Sequence, residues 1–224
     1  PQRRSHNLLL PDEALASPIC AGLRAIREQS RMMEVTAWRW LNEPAEWHQT
    51  DDGLQVVTDK QTDFWRSTWY GFERHSGHLY GCEVAGEFTF QVCVEGEFTT
   101  LYDQAGLMLL QDEAHWLKAG IEYNDAQPMI GSVLTNPRSD WATGIFTGNP
   151  RRFWLRLTRL ADCLRLQYST DGKVWPLLRL APFPPSERCF IGVMCCTPER
   201  QGLAVRFSDL RLTPPLGKAL HDLS

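Results

Sequence analysis

Three polar side chains fall on two neighbouring segments whose residue types are typical of β-strands. Residues 101–109 and 115–122 are rich in strand-forming residues, and a short polar connector separates them. If the two segments pair as a hairpin, Gln104 lies opposite Glu122, and Lys118 lies on the same face of the sheet. The pattern therefore predicts an amide, an ammonium and a carboxylate in one row.

The same register places Gly106 opposite Gly120 in that row, with Trp116 beside them. Glycine within a strand often marks a close approach, so the floor of the sheet is expected to be low here. Sugar hydroxyls form hydrogen bonds with amides and charged groups, and the C–H face of a sugar ring packs on an indole. The row thus predicts a groove for a small carbohydrate or a sugar-derived metabolite. The alternative is an ordinary polar sheet surface, with Lys118 and Glu122 as a surface ion pair.

Charged and aromatic residues also occur together in predicted loops. These further ligand-binding candidates are Asp63, Trp65, Arg66, His78, Asp140 and Trp141. An Asp-aromatic-Arg combination suits the rim of a ligand cleft, because arginine donates a planar fork of hydrogen bonds. The alternative is that the tryptophans belong to the core, the arginine binds a backbone carbonyl and the histidine is structural.

The elements that must position these residues are short strands. Apolar and polar residues alternate over residues 88–94, 154–158 and 164–168, and turn signals such as Asp52-Gly53 and Asp171-Gly172 separate such runs. No long amphipathic helix interrupts them, which argues against a parallel α/β sheet. The fold class expected is all-β, an antiparallel sandwich of two sheets.

The chain is expected to form one folded domain with two short flanks. Residues 1–32 lie outside the strand-rich pattern, and apolar residues at helical spacing predict a short helix within 18–30. This segment is interpreted as an N-terminal extension whose deletion leaves the fold stable. Residues 33–213 are expected to form the single sandwich domain, and residues 214–224 a short tail.

Composition narrows the classes of partner. The 224 residues carry a formal net charge of −4, which provides no basic face for nucleic acid. No stretch approaches the roughly 18 apolar residues of a membrane helix. Seven cysteines without C-x-x-C spacing are typical of buried thiols in a reducing compartment, and they favour no zinc site. We therefore expect a soluble, cytoplasmic protein with no metal or cofactor and with no nucleic-acid or membrane partner.

A series of strings along residues 38–213 resembles a known family. The strings include Asn42-Glu43-Pro44, Thr62-Asp63-Phe64-Trp65-Arg66, Tyr70-Gly71-Phe72, Gly77-His78, Leu101-Tyr102-Asp103-Gln104, Trp116-Leu117-Lys118 and Ser139-Asp140-Trp141. In this order they resemble the domain of unknown function 1349 family. The resemblance implies a concanavalin A-like lectin/glucanase jelly roll, with two antiparallel sheets of which one is concave. It implies no agreed activity and no catalytic residues, and one family member is described as a regulator of enolase.

Three functions follow from these observations. The first is a lectin-like protein that binds a small carbohydrate without turnover and has a regulatory role in carbohydrate metabolism. The second is a glycoside hydrolase or another sugar-active enzyme in which Glu122 works with a loop carboxylate. For a hydrolase this partner is Asp63, Glu113 or Asp140, at a separation of roughly 5–10 Å. The E-x-D-x-x-E string typical of hydrolases with this fold is absent. The third is a protein-binding regulator of a glycolytic enzyme such as enolase.

Overall fold

The coordinates are those of a computed structural model, which describes residues 33–224. Residues 1–32, with the extension and the helix predicted within 18–30, lie outside the described residues. Between residues 33 and 224 the chain forms sixteen β-strands. No helical segment in this part is long and apolar enough to cross a membrane.

The strands are distributed over the whole described chain. In order they are β1 (Arg39–Leu41), β2 (Glu46–Thr50), β3 (Gly53–Val57), β4 (Phe64–Arg66), β5 (Glu73–His75), β6 (His78–Ala85), β7 (Phe88–Gly96), β8 (Gln104–Asp112), β9 (His115–Asn124), β10 (Gln127–Thr135), β11 (Ser139–Ile145), β12 (Arg152–Arg159), β13 (Cys163–Ser169), β14 (Leu177–Pro182), β15 (Arg188–Cys196) and β16 (Ala204–Thr213). A first sheet has the order β1-β6-β15-β8-β9-β10-β11, and a second has the order β14-β13-β12-β7-β16-β3-β2. Strands β4 and β5 form a separate hairpin.

The two sheets are stacked face to face. Strand β7 of the second sheet contacts β8 and β15 of the first, and the apolar side chains of the alternating strands meet between the layers. Leu107 and Ile121 of the first sheet and Val92 and Leu155 of the second are fully buried. The predicted antiparallel, jelly-roll β-sandwich is confirmed.

The hairpin of β8 and β9 determines which side chains share a face of the first sheet. Its strands pair with Gly106 opposite Gly120, as the sequence predicts. A Cβ atom on Gly106 would lie 1.7 Å from the carbonyl oxygen of Ala119, and one on Gly120 would lie 1.9 Å from that of Ala105. Glycine is therefore required at both positions, because the strands approach too closely for any side chain.

The last strand ends at Thr213, and the residues after it return to the second sheet. The guanidinium of Arg165 donates hydrogen bonds to the carbonyl oxygens of Lys218, Ala219 and Leu220, at 2.7–3.1 Å. The tail is thus attached through its backbone to strand β13.

Candidate functional site

The polar row predicted from the sequence is present on one face of the first sheet. Gln104 pairs with Glu122, and Met108 pairs with Lys118, across β8 and β9. The ammonium of Lys118 donates a hydrogen bond to Oε1 of Gln104 at 2.6 Å. The row is not an exposed sheet surface, because the Gln104 and Lys118 residues are each only 3% exposed.

Asp63 is the negatively charged partner of Lys118 in the interior. Its Oδ1 lies 3.3 Å from Nζ of Lys118, and the two side chains are 13% and 4% exposed. Burial alone would lower the pKa of Lys118, but the attraction of Asp63 and of neighbouring Cys196 and Glu122 outweighs it and holds the pKa above its usual value. Lys118 is therefore a fixed ammonium, and it is unsuited to act as a neutral amine nucleophile.

The hairpin of β4 and β5 covers half of this face. Phe64 and Trp65 of β4 form one buried cluster with Met108, Trp116 and Val133 of the first sheet. The placement of Trp116 corrects the expectation from the sequence. It is 1% exposed and lies beneath the hairpin, so it does not flank an open groove.

The other half of the face remains open as a cavity of about 200 Å³. Its polar floor consists of Asp63, Gln104, Lys118 and Glu122. A cavity of roughly 150 Å³ is enough to hold one benzene ring, so a single six-membered ring fits here.

The walls of the cavity are largely aromatic. They are formed by Trp65, Tyr70, Phe72, Tyr102 and Trp141, together with Val133. The pairing of neighbouring strands explains part of this set. Val133 of β10 pairs with Lys118 of β9 on one side and with Trp141 of β11 on the other. The indoles of Trp65 and Trp141 meet edge to face at 6.3 Å. The hairpin and the edge strand therefore close the cavity between them.

Glu122 is the one floor residue whose side chain forms no hydrogen bond with the residues that the structure describes. Burial raises its pKa to about 7, and the nearby charge of Asp63 adds to this effect although Lys118 opposes it. A carboxyl group of this kind exchanges a proton near neutral pH, which is the property of a general acid or base and also of a ligand-linked proton site.

A buried ion pair fixes the rim of the cavity. The Asp103 side chain is fully buried and accepts hydrogen bonds from the backbone N–H groups of Thr99 and Thr100. Nε of Arg200 donates to the two carboxylate oxygens of Asp103, at 2.9 and 3.1 Å. The neighbours of this pair in sequence, Tyr102 and Glu199, both line the cavity.

A tyrosine pair joins the hairpin to the sheet at the rim. The hydroxyls of Tyr70 and Tyr102 lie 2.7 Å apart. The hydrogen bond with Tyr70, with some help from burial, raises the pKa of Tyr102 to about 12. Tyr102 therefore stays protonated and uncharged at neutral pH.

Three other candidates predicted from the sequence do not line the cavity, because their side chains bond to residues outside it. Arg66 pairs with Glu73 across the hairpin at 2.9 Å, and exposed Asp140 pairs with Arg179 at 2.9 Å. His78 accepts a hydrogen bond from the Asp59 backbone at its Nε2 and donates one from Nδ1 to the carbonyl oxygen of Asn42. Both ring nitrogens are therefore bound to backbone groups. Of the loop carboxylates considered as partners of Glu122, Asp63 lines the cavity, whereas Glu113 and Asp140 do not.

Sequence reasoning missed seven residues that line the cavity, among them Val133 and Pro198. The other five are Tyr70, Phe72, Arg74, Tyr102 and Glu199. An available signal was the Tyr70-Gly71-Phe72 string, in which an aromatic pair surrounds a glycine with a φ of 72°. No signal in the sequence points to Glu199, since its place depends on the pairing of Arg200 with Asp103.

The fold and the cavity together define a jelly-roll β-sandwich with a small, polar-floored cavity over one sheet. Residues 40–215 match the family described as "Protein of unknown function (DUF1349)", and the chain belongs to this family.

Two comparisons with Saccharomyces cerevisiae proteins agree with this assignment. "Regulation of enolase protein 1" is 54% identical over 196 residues, which are 88% of this chain and 99% of that protein. A crystal structure of a functionally unknown protein from the same yeast has a TM-score of 0.79 at 53% identity, covering 80% of this chain and 97% of that one.

More distant solved structures share the fold alone. A GH43 protein from Bacillus licheniformis has a TM-score of 0.63 at 13% identity, covering 79% of this chain and 36% of that one. A GH43 protein from Bacteroides ovatus has a TM-score of 0.58 at 16% identity, covering 78% of this chain and 36% of that one. The similarity is therefore to about a third of each of those chains.

Proposed function

We propose that this protein binds a small carbohydrate or a sugar-derived metabolite in the cavity, without turnover, and acts as a cytoplasmic regulator of carbohydrate metabolism. The observation that carries the proposal is the buried ammonium of Lys118, fixed by Gln104 and Asp63 at the floor of an aromatic-walled cavity of about 200 Å³. A sugar ring combines polar hydroxyls with an apolar C–H face, and such a floor and such walls complement both.

The polar floor is organised before a ligand arrives. Lys118 and Asp63 are paired in the interior, and Nε2 of Gln104 donates to the carbonyl oxygen of Tyr102 at 3.2 Å. Groups that are already ordered lose little conformational freedom on binding, so more of the interaction energy appears as affinity. This arrangement supports binding of a small ligand whose polar groups match fixed positions.

Trp141 provides the test of this proposal. It lies on edge strand β11 and lines the cavity, so Trp141→Ala is expected to weaken sugar binding at least about tenfold by removing a stacking wall. The matched control is Trp69→Ala, since Trp69 is 91% exposed and does not line the cavity. Calorimetry and thermal shift with mono- and disaccharides measure both variants. Saturating ligand should stabilise the parent by about 2.7 kcal/mol at a hundred times Kd.

If the Trp141→Ala variant binds a sugar with the same affinity as the parent, the cavity is excluded as the binding site. Product analysis after prolonged incubation with the same sugars tests the absence of turnover. Hydrolysis is not expected, because the carboxylate of Asp63 is paired with the ammonium of Lys118 and is not free to act as a second catalytic carboxylate.

A second candidate function is binding to a glycolytic enzyme such as enolase, in line with the name of the yeast relative. Trp69 favours it, because this 91% exposed indole stands at the tip of the β4–β5 hairpin with a φ of 63°. A bulky residue in the left-handed region costs about 1–3 kcal/mol and is kept only where the surroundings impose it.

The same two variants test this second candidate with the opposite expectation. Trp69→Ala should weaken binding to purified yeast enolase at least about tenfold, as expected for an aromatic anchor of an interface. Trp141→Ala should leave that binding unchanged. Analytical ultracentrifugation or calorimetry gives the affinities, and equal affinity of all three proteins for enolase excludes the hairpin tip as the contact.

A further inference from the structure

We infer that the cavity accepts rings that carry hydroxyl or amino hydrogen-bond donors and no negative charge, and that it excludes sugar phosphates and sugar acids. This inference rests on the proposed function and narrows its ligand class.

The charges around the cavity leave an excess of carboxylate. Asp63, Glu122 and Glu199 are the acidic residues in its lining, and Lys118 and Arg74 are the basic ones. Lys118 is offset by Asp63 at 3.3 Å. The guanidinium of exposed Arg74 lies over the ring of Phe72, 4.0 Å from its centroid, at the rim. The lining therefore contains one more acidic than basic residue. At its floor the carboxyl groups of Asp63 and Glu122 share the single ammonium of Lys118, so an anion there meets a net negative charge when Glu122 is ionised.

The hydrogen-bonding groups show the same imbalance. Gln104 uses its oxygen to accept from Lys118 and its nitrogen to donate to the Tyr102 backbone. Oδ1 of Asp63 accepts from the Phe64 backbone and from Lys118. Among the described residues, Oδ2 of Asp63 and both side-chain oxygens of Glu122 have no donor. A phosphate or a carboxylate group brings no donor to these atoms, whereas hydroxyl and ammonium groups do.

The same geometry links ligand binding to the protonation of Glu122. The groups that face it are Lys118, Asp63, Cys196, Tyr102, Tyr70, Arg74 and Glu199. A donor ligand binds the ionised carboxylate and releases the proton that this buried group holds below about pH 7. Affinity for a neutral ring should therefore be constant above that pH and fall up to about tenfold for each pH unit below it.

Calorimetry on the full chain tests the inference with three matched sets of probes. Each set contains a neutral hexose (D-glucose, D-galactose or D-mannose), its 2-amino sugar, its 6-phosphate and its uronic acid. We expect at least one neutral or amino sugar to bind at least ten times more tightly than its own 6-phosphate and uronate at pH 8. Equal or tighter binding of a 6-phosphate or uronate would overturn the inference and leave the proposed function standing. No binding by any probe would overturn both.

Glu122→Gln separates the charge from the shape of the side chain. In this variant the affinity for the preferred neutral or amino sugar should fall at least fivefold at pH 8, and its decline between pH 7 and pH 6 should disappear. Glu46→Gln is the matched control, since Glu46 is exposed on β2 of the second sheet and does not line the cavity. A pH profile of the Glu122→Gln variant identical to that of the parent would contradict the assignment of Glu122 as the acceptor.

Discussion

At the scale of single residues, the ammonium of Lys118 stays charged in the interior because Asp63 and Gln104 replace the water around it. Removing one partner of a buried pair leaves an uncompensated charge, which is more costly than replacing both. Glu122 contrasts with Lys118, because it has no such partner among the described residues and its pKa rises to about 7. The floor of the cavity therefore contains one ion pair, Lys118 with Asp63, and one carboxyl group without a hydrogen-bond donor among the described residues, Glu122.

Glu122 should make the stability of the fold depend on pH. Its pKa in the folded state is about 7 against a reference value of 4.5, so the folded state binds the proton more tightly than the unfolded state. Stability from this group is present below pH 4.5 and is lost as the pH rises through 7, by up to about 3 kcal/mol. Glu122→Gln is therefore expected to be more stable than the parent at pH 8 and similar at pH 4.5, measured by urea unfolding. A parent protein that is as stable as the Glu122→Gln variant at pH 8, or more stable, would contradict the raised pKa of Glu122.

At the scale of elements, the cavity lies between the first sheet and one hairpin, and a row of three glycines on adjacent strands lies next to it. Gly106, Gly120 and Gly131 lie side by side on β8, β9 and β10 and leave the sheet without side chains there. The hairpin of β4 and β5 is fixed by the hydrogen bond that the Arg66 backbone donates to the hydroxyl of Ser139 at 2.9 Å. The glycines allow the strands to approach closely, and the hairpin encloses the cavity through Trp65 of β4 and Arg74 of β5.

Gly106→Ala is expected to destabilise the protein by about 2–3 kcal/mol or more, because its Cβ would overlap the Ala119 carbonyl oxygen at 1.7 Å. The matched control is Gly144→Ala on β11, where a Cβ meets nothing within 4 Å. That change is expected to stay within about 0.5 kcal/mol. Urea unfolding measures both variants, and equal effects would show that the β8–β9 approach is not as close as described.

At the scale of the whole molecule, distant parts of the chain are joined at the rim of the cavity. Asp103 and Arg200 are 97 residues apart in sequence, yet they pair with the Asp103 side chain fully buried. The pair joins the start of β8 to the loop between β15 and β16, and it positions Tyr102 and Glu199 beside the cavity.

Asp103→Ala is expected to lower the free energy of unfolding by about 3–5 kcal/mol, since it leaves Arg200 and two backbone N–H groups without their acceptor. The control is Glu97→Ala, whose partner Arg151 lies 2.6 Å away and whose pair is more than 60% exposed. That change should cost no more than about 1 kcal/mol. Thermal and urea unfolding compare the two, and similar losses would rule out a special contribution from the buried pair.

The sequence by itself determined the all-β sandwich, the pairing of β8 with β9 and the shared face of Gln104, Lys118 and Glu122. These follow from a period of two residues and from glycines that must face each other, which are local properties of the chain. Only the tertiary structure decided that the row is buried, that Trp116 is covered and that Asp63, 55 residues before Lys118, completes the floor. Such contacts depend on where a hairpin from another part of the chain comes to rest, and strand periodicity carries no information about that.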